Sequence, residues 1–413
     1  MKNKLLYNSA FIFGLVFPLS TKLGNIALAI FMAILLFFFK NKPKTGITII
    51  WFSTFYLFAL LLLGLFFTDN TSDTINLFGR YATYLLIPFL LLFLDKDQLV
   101  YLKKRSLLGL IVGVTIASLV LLTNNFIKYY SIRPLFTIDK DLFNYYHTYH
   151  CFTEILKIYP TYFGLYAILS LIGSLEFILT NMLKRDKILI GLTIPIQLMT
   201  ILFLNARIIT IIVIMLVVYY SFVLFKKVYF RSKFFFLISI IGMFLLSILL
   251  FSSVRKTYMY SRFSQELVWD LTPNINTSYN GKYKADSRIA RWESAFSAIK
   301  ERPTFGYGSA MEKEVLHERF QENGLNFAAT NYYDSHNQYL SITIEFGLIG
   351  LSLFLFYLFS NFYFSFQNKD KVSLFFFVSL ILVGLFENLF KNNAGIIFVA
   401  FFSNVFLFSN QKK

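Results

Sequence analysis

Residues 334–350 read DSHNQYLSITIEFGLIG, and the sequence changes character in the middle of this stretch. Its first five residues, Asp334 to Gln338, are polar and are of types that occur in active sites. The residues after Leu340 are mostly apolar and begin a run of about the 20 positions that an α-helix needs to cross a bilayer. The stretch therefore predicts a polar loop that leads directly into a membrane helix.

The composition extends this prediction to the whole chain. Hydrophobic residues make up 57% of the 413 positions and charged residues only 15%, which is more apolar surface than the core of a soluble protein can bury. Aromatic residues reach 20%, which is typical of lipid-facing helices with interfacial belts. The single cysteine, Cys151, excludes an intramolecular disulfide.

Apolar runs of roughly membrane-spanning length recur along the chain and predict an all-α polytopic membrane protein. We interpret residues 1–413 as a single integral membrane domain with about twelve transmembrane helices. The first run also has the basic start and apolar middle of a signal peptide, but no small-residue cleavage site follows it, so it is interpreted as a helix. The predicted spans are 5–20, 23–39, 47–67, 78–94, 107–123, 161–181, 188–204, 208–225, 234–251, 339–363, 372–390 and 394–409.

Lysine and arginine in the short loops predict the orientation of these helices. The loops on one side contain 20 basic residues, whereas the short loops opposite contain only Lys22, Arg80, Arg207 and Lys391. Because positive charge favours the cytoplasm, both termini are predicted to be cytoplasmic. Two long connections then lie outside: residues 124–160, and a partly helical loop, residues 252–338, inserted between helices 9 and 10 and therefore before the last three helices. All four histidines lie in them, at positions 147, 150, 317 and 336.

The larger loop contains a predicted amphipathic helix that begins near Asp286 and ends at Pro303. Its sequence is DSRIARWESAFSAIKERP, and the FGYG that follows, residues 305–308, is interpreted as a turn. Arg288 borders the apolar stripe and is predicted to point toward the membrane, while Arg291 lies further round. The residues of that predicted stripe are Ile289, Trp292, Phe296 and Ile299.

With these motifs in place, the chain resembles the O-antigen ligase and O-antigen polymerase (Wzy-type) superfamily of bacterial membrane glycosyltransferases. The resemblance is carried by RIARWESAFSAIKERPTFGYGS, by HNQYLSITIEFGLIG, by NARIIT at the start of an earlier helix, and by the closing ENLFKNNAGIIFVAFF. YPTYFGLY is similar to an HPTY-type element of some relatives. The chain departs from the usual pattern at Ala206, where serine is usual, and at Tyr159, where those relatives have histidine. In detail the resemblance covers roughly residues 160–405.

The resemblance implies an enzyme of the bacterial inner membrane that faces the periplasm. It implies transfer of a glycan from undecaprenyl diphosphate to lipid A core or a related acceptor, with no nucleic acid, metal or other cofactor involved. Guanidinium groups suit a departing diphosphate, and Arg207, Arg288 and Arg291 are the candidates. His336 is the candidate general base.

Three supporting residues accompany these candidates. Asp334 or Glu345 is expected to orient the imidazole of His336, and Asn337 completes the His-Asn pair. A simpler interpretation makes Asn337 and its neighbours a helix cap, with Arg207 snorkelling at a helix hairpin.

Other functions stay open from the sequence. An O-antigen polymerase would extend lipid-linked repeat units instead, and a transporter or flippase would fit the helix count. The absence of an internal repeat and the position of the polar motifs at one boundary disfavour transport. A scaffold without chemistry would leave the motifs unexplained. His147, His150 and Cys151 offer three metal ligands, but no fourth is evident, so no metal site is predicted.

Overall fold

The computed structural model describes residues 2–39, 49–134, 139–180, 183–229, 257–279 and 283–410. This part of the chain is mainly α-helical, with one two-stranded antiparallel sheet that pairs Thr277 with Ala285. Three short 3₁₀ helices lie at Lys140–Phe143, Tyr145–His147 and Glu154–Leu156. The longer elements are α1 Lys2–Val16, α2 Thr21–Leu36, α3 Ile49–Gly64, α4 Thr71–Tyr81, α5 Thr83–Leu91, α6 Lys96–Tyr130, α7 His150–Thr153, α8 Pro160–Leu179, α9 Lys184–Leu204, α10 Arg207–Tyr229, α11 Tyr258–Asp270, β1 Thr277–Tyr279, β2 Tyr283–Ala285, α12 Arg288–Glu301, α13 Glu312–Glu322, α14 Asn326–Thr330, α15 Gln338–Gln367, α16 Lys371–Gly384 and α17 Asn393–Asn410.

Within the described residues, five helices are long and apolar enough to cross a membrane, namely α6, α8, α9, α15 and α17. Shorter apolar helices lie in α2, α3, α10 and α16. The predicted span 234–251 lies outside the described residues. The predicted span 78–94 is interrupted at Ala82, where the Thr83 hydroxyl donates to the Arg80 carbonyl at 2.7 Å.

The first predicted helix packs tightly inside the bundle. Leu6, Ala10 and Phe13 of α1 are fully buried. On α6, a Cβ atom at Gly109 or Gly113 would lie 2.1 or 2.2 Å from a carbonyl oxygen of α1. Glycine at these two positions therefore lets the two backbones touch, as is common between membrane helices.

The two ends of the bundle differ in chemistry. At one end, Asp370 accepts from Asn410 at 2.6 Å and pairs with Lys103, among the basic residues of the short loops. The other end carries the connection 131–159, the tight turn 205–206, the connection before α15 and the turn 385–392. All the candidate residues named above at the starts of helices, Arg207 and His336 included, lie at this second end.

The predicted amphipathic helix is confirmed as α12, but its predicted buried face is wrong. Ser287 caps the helix by accepting from the N–H of Ala290. Phe296 is exposed, whereas Arg291 belongs to the buried face. Small side chains allow α12 to approach α13 and α15 closely, so the centre of its buried face is made of small residues, while Trp292 and Ile299 pack at its edge and are only partly buried. The buried residues are Ala290, Arg291, Ser294, Ala295 and Ala298.

The FGYG segment inserts into a break in α15. Gly347 interrupts this helix with φ 64° and ψ −165°. The carbonyls of Ile344 and Glu345 accept instead from the N–H groups of Tyr307 and Gly308, at 2.9 and 2.8 Å. The freed backbone groups are thus satisfied by protein, as a membrane helix requires. These hydrogen bonds fix the 303–308 segment to α15 at its break.

Candidate functional site

Two of the predicted arginines converge on one carboxylate. Arg207 is the first residue of α10, directly after a two-residue turn in which Asn205 adopts φ 45°. Its Nη2 atom lies 2.6 Å from Oδ2 of Asp270, the last residue of α11. The Nε atom of Arg288, the first residue of α12, lies 3.7 Å from the same oxygen. These side chains line a cleft with an empty volume of about 640 Å³.

The guanidinium of Arg288 is held in a charged state suited to binding an anion. Arg288 also donates to the carbonyl of Phe386 at 3.1 Å. Burial by itself would lower the pKa of Arg288, but Asp270 and Glu387 outweigh it and hold the pKa above its usual value. The cleft therefore presents two forks of N–H donors, which is the arrangement that binds phosphate oxygens in pairs.

His336 stands between two carboxylates at the start of α15. It adopts φ 47°, and its N–H donates to Oδ1 of Asp334 at 2.9 Å. Its Nδ1 atom lies 3.5 Å from Asp334 Oδ1 and 3.7 Å from Glu387 Oε2. Asn337 caps α15 through its side-chain oxygen, which accepts from the N–H of Tyr339 at 3.0 Å and of Leu340 at 3.2 Å. The cap thus fixes the turn that holds the imidazole.

The two carboxylates beside His336 remain anionic. Burial by itself would raise the pKa of Asp334 and of Glu387. The nearby imidazole outweighs burial in both cases and holds both pKa values below their usual range. If the imidazole of His336 gained a proton, its positive charge would lie within 4 Å of these two negatively charged carboxylates.

Glu387 joins the histidine to the arginine cleft. One oxygen faces His336, and the other accepts from the hydroxyl of Thr161 at 3.2 Å. Glu387 and Thr161 also line the cleft that contains Arg207 and Arg288. Sequence reasoning missed Glu387 as a site residue. The signal was an acidic residue in the short polar stretch ENLFKNN between two apolar runs.

A buried charge network supports the loop that carries His336. Glu312 is fully buried and accepts from the N–H and hydroxyl of Ser335, at 3.1 and 2.6 Å. It also lies 3.0 Å from Nζ of Lys391, which in turn pairs with Glu345. Glu345, predicted as one of two partners of the imidazole, is therefore paired with Lys391 in the layer below the site. Burial would lower the pKa of Lys391, but these two carboxylates raise it well above its usual value.

Arg291, the third predicted arginine, lies apart from the cleft lining. It is buried, and its guanidinium lies 5.3 Å from the ring centre of Tyr333. Among the described residues, its Nε and Nη1 atoms have no hydrogen-bond partner. Burial and the nearby charge of Arg288 lower its pKa.

The HTYHC motif contributes a tyrosine to the site. Nδ1–H of His147 donates to Oδ1 of Asn125 at 3.0 Å, and His150 packs against the rings of Tyr149 and Tyr159. Burial lowers the pKa of both histidines. Tyr149, between them, lines the arginine cleft. In the described part of the chain, no three His, Cys, Asp or Glu side chains are arranged to hold a metal ion.

Comparison with known proteins confirms the resemblance over the segment that builds most of the site. Residues 192–355 match the family model of O-antigen ligase, Wzy_C. An uncharacterized protein of Haemophilus influenzae (strain ATCC 51907 / DSM 11121 / KW20 / Rd) is 37% identical over 92 residues, and that alignment covers 22% of each chain. The family match covers less than half of the chain. Together with the apolar helices it indicates a multi-pass membrane protein that is similar to O-antigen ligases over residues 192–355.

Proposed function

We propose that this membrane protein, whose residues 192–355 match the O-antigen ligase family, moves a glycan from undecaprenyl diphosphate to lipid A core or a related acceptor at the periplasmic face. One observation carries the proposal. Arg207 and Arg288 line one cleft. Glu387 lines the same cleft and also faces His336. An anion-binding pair and a candidate base are thereby placed on the two sides of one side chain.

The arginine cleft suits the diphosphate of the donor. The carboxylate of Asp270 now lies where two guanidinium groups converge, and a phosphate oxygen would take the same contacts. As the bond between the sugar and the diphosphate breaks, negative charge grows on the departing oxygen. Fixed positive charge at that point lowers the barrier.

An apolar groove continues from the cleft and suits the lipid part of the donor. It lies between α9, α10 and α11, and Phe263 lines both the groove and the cleft. Its other walls include Leu198, Ile201, Val213 and Met259. A prenyl chain in this groove would place its diphosphate at the arginines.

His336 acts as the general base in this proposal. An acceptor hydroxyl attacks the anomeric carbon of the donor sugar and gives its proton to the imidazole. A new glycosidic bond forms, and undecaprenyl diphosphate leaves as an anion. Asp334 and Glu387 stabilise the imidazolium that results.

The distribution of charge supports an orientation with the site outside the cytoplasm. Among the described residues, the end of the bundle opposite the site contains Lys103, Lys184 and Lys371, three of the basic residues of the short loops. On this basis we place both termini in the cytoplasm, and the segment 252–338 on the periplasmic side of the inner membrane.

A second candidate function is O-antigen polymerase. The connection between α6 and α8 contributes Tyr149 to the cleft, so a second external loop takes part in the site. Such a loop could select a lipid-linked repeat unit as acceptor. In that case the donor chemistry and the role of His336 are the same, and only the acceptor differs.

The envelope glycolipids of a deletion strain test the assignment. The strain is compared after restoration with the native protein, with His336→Ala, or with the exposed control Glu318→Ala. Loss of long glycan from lipid A, with lipid-linked polymer accumulating, indicates a ligase; core with a single repeat indicates a polymerase. An unchanged profile in the deletion strain would contradict both.

A further inference from the structure

Helix α11 presents three charged residues on one buried face. Arg262, Glu266 and Asp270 are spaced four residues apart, which places them in one row along a helix. Their exposed fractions are 6%, 1% and 8%. Charged side chains are rarely buried so completely without partners or a function. Asp270 lines the arginine cleft, and Arg262 lies two helical turns before it on the same face of α11.

Arg262 lines the same cleft as Arg207 and Arg288. Its Nε atom lies 3.5 Å from Oε2 of Glu266 and has no hydrogen-bond partner among the described residues. Burial by itself would lower the pKa of Arg262, but Tyr149, Tyr258 and Glu266 hold it above its usual value. A third charged guanidinium is therefore available to a ligand in the cleft.

Tyr149 fixes the position of this guanidinium. The central carbon of the Arg262 guanidinium lies 3.7 Å from the ring centre of Tyr149, which is a close cation–π contact. The tyrosine is itself held in place, since its N–H donates to the Phe203 carbonyl at 3.0 Å and its hydroxyl lies 3.0 Å from that of Tyr159. It adopts φ 56°, a conformation that non-glycine residues keep only where their surroundings enforce it.

The charges in the cleft show what a third arginine would add. Without Arg262, the two guanidinium groups of Arg207 and Arg288 are balanced by the two carboxylates of Asp270 and Glu387 that also line the cleft, so the net charge is zero. A sugar–diphosphate–lipid diester carries two negative charges. Arg262 gives the cleft a net positive charge, while its partner Glu266 is not among the residues that line it.

We propose that Arg262 is a third diphosphate-binding residue and that Tyr149 is its positioning residue. Arg207 and Arg288 hold one phosphate group, and Arg262 holds the other. This inference rests on the proposed function, and it explains why a loop between α6 and α8 reaches the cleft.

Direct binding to the purified full-length protein tests this role. Farnesyl diphosphate and inorganic pyrophosphate are titrated calorimetrically into the native protein in detergent micelles, and into Arg262→Ala, Arg262→Lys and Arg207→Ala. The matched control is Arg302→Ala, because Arg302 also lies over a tyrosine ring, that of Tyr307 at 4.7 Å, but is exposed. Thermal unfolding of each variant shows whether it folds.

Arg262→Ala is expected to weaken both probes about tenfold or more, as the loss of a charged hydrogen bond implies. Arg262→Lys should recover little, since an ammonium lacks the planar fork. Native-like binding by Arg262→Ala alongside impaired Arg207→Ala would overturn the inference and leave the proposed function intact. Weakening of farnesyl diphosphate alone would also overturn it, because Arg262 would then contact the lipid. If the native protein binds neither probe, the proposed function is contradicted, and so is this inference, because it depends on that function.

Two tyrosine variants separate positioning from simple support. Tyr149→Phe keeps the ring beneath Arg262 and removes only the hydroxyl that lies 3.0 Å from that of Tyr159, so it should retain most of the binding of both probes. Tyr149→Leu removes the ring and should weaken binding by several-fold. Equal binding by these two variants would contradict the positioning role. This comparison can be made even if Arg262→Ala does not fold.

Discussion

Replacing Glu312 by alanine should loosen the loop that leads into α15. The Glu312 carboxylate is fully buried and accepts from the N–H of Ser335 at 3.1 Å and from the hydroxyl of Ser341 at 2.7 Å. It also lies 3.0 Å from the ammonium of Lys391. The hydroxyl of Ser335 and the side-chain amide of Asn388 also donate to it, at 2.6 and 3.3 Å. Its removal therefore takes the acceptor away from five donors in two segments of the chain.

The expected cost follows from these contacts. Removing one partner of a buried ion pair costs about 3–5 kcal/mol. The lower end applies, because Lys391 keeps Glu345 as a partner. The N–H of Ser335 loses its acceptor, which adds about 1 kcal/mol. The hydroxyl of Ser335 also lies 3.1 Å from the carbonyl of Asn337, so it need not add to the cost. The sum is about 4 kcal/mol, or roughly a thousandfold increase in the population of the opened loop.

Limited proteolysis of the purified protein measures this opening. Glu312→Ala should be cut in residues 257–337 far faster than the native protein, at an enzyme concentration at which opening and closing outpace cleavage. Glu318→Ala, on the exposed side of the same helix, should cost less than about 0.5 kcal/mol and serves as the control. If Glu312→Ala were cut at the native rate, the network would not hold this loop.

Three further changes test other parts of the structure. The folded-state pKa of Glu387 lies below its ordinary value, so the charge of its carboxylate adds stability that is present above the ordinary glutamate pKa of about 4.3 and is lost as the pH falls through the lower, folded-state pKa. Melting temperatures of the native protein and Glu387→Gln should therefore differ at pH 7, and the difference should shrink as the pH falls below about 4.3; a constant difference would contradict this. Gly347→Ala should destabilise the protein by about 1–3 kcal/mol or more in thermal unfolding, since its Cβ would lie 2.1 Å from the Thr304 carbonyl, whereas Gly79→Ala, with nothing within 4 Å, should not. Asp270→Asn should tighten pyrophosphate binding several-fold in calorimetry, because it removes the carboxylate that competes for the arginines; weaker binding would show that Asp270 positions them instead.

The sequence predicts the helical membrane architecture because a continuous local run of apolar residues is sufficient to identify a membrane helix. It also places Arg207 and His336 at helix starts, and the structure brings both to the same end of the bundle. The contact between Arg207 and Asp270 spans 63 positions, and that between His336 and Glu387 spans 51. A pairing over such a distance has no local pattern, so the acidic partners were missed.

Two features were misplaced, each for its own physical reason. The helical wheel of α12 is centred on its largest apolar side chains, but the most buried positions are alanines and serines, and this brings Arg291 into the buried face. Glu345 was predicted near His336 from its position in the same helix. Its actual partner, Lys391, lies on another segment, and a buried lysine attracts the nearest carboxylate.

The central claim is that one cleft binds the donor while His336 removes the acceptor proton. Its most direct test is glycan transfer by purified His336→Ala, from an undecaprenyl-diphosphate-linked glycan to lipid A core, with donor binding measured on the same sample. We expect the transfer rate to fall about 100-fold or more, as loss of a general base implies, while donor binding stays within a few-fold of native. Transfer at the native rate by His336→Ala would contradict the account.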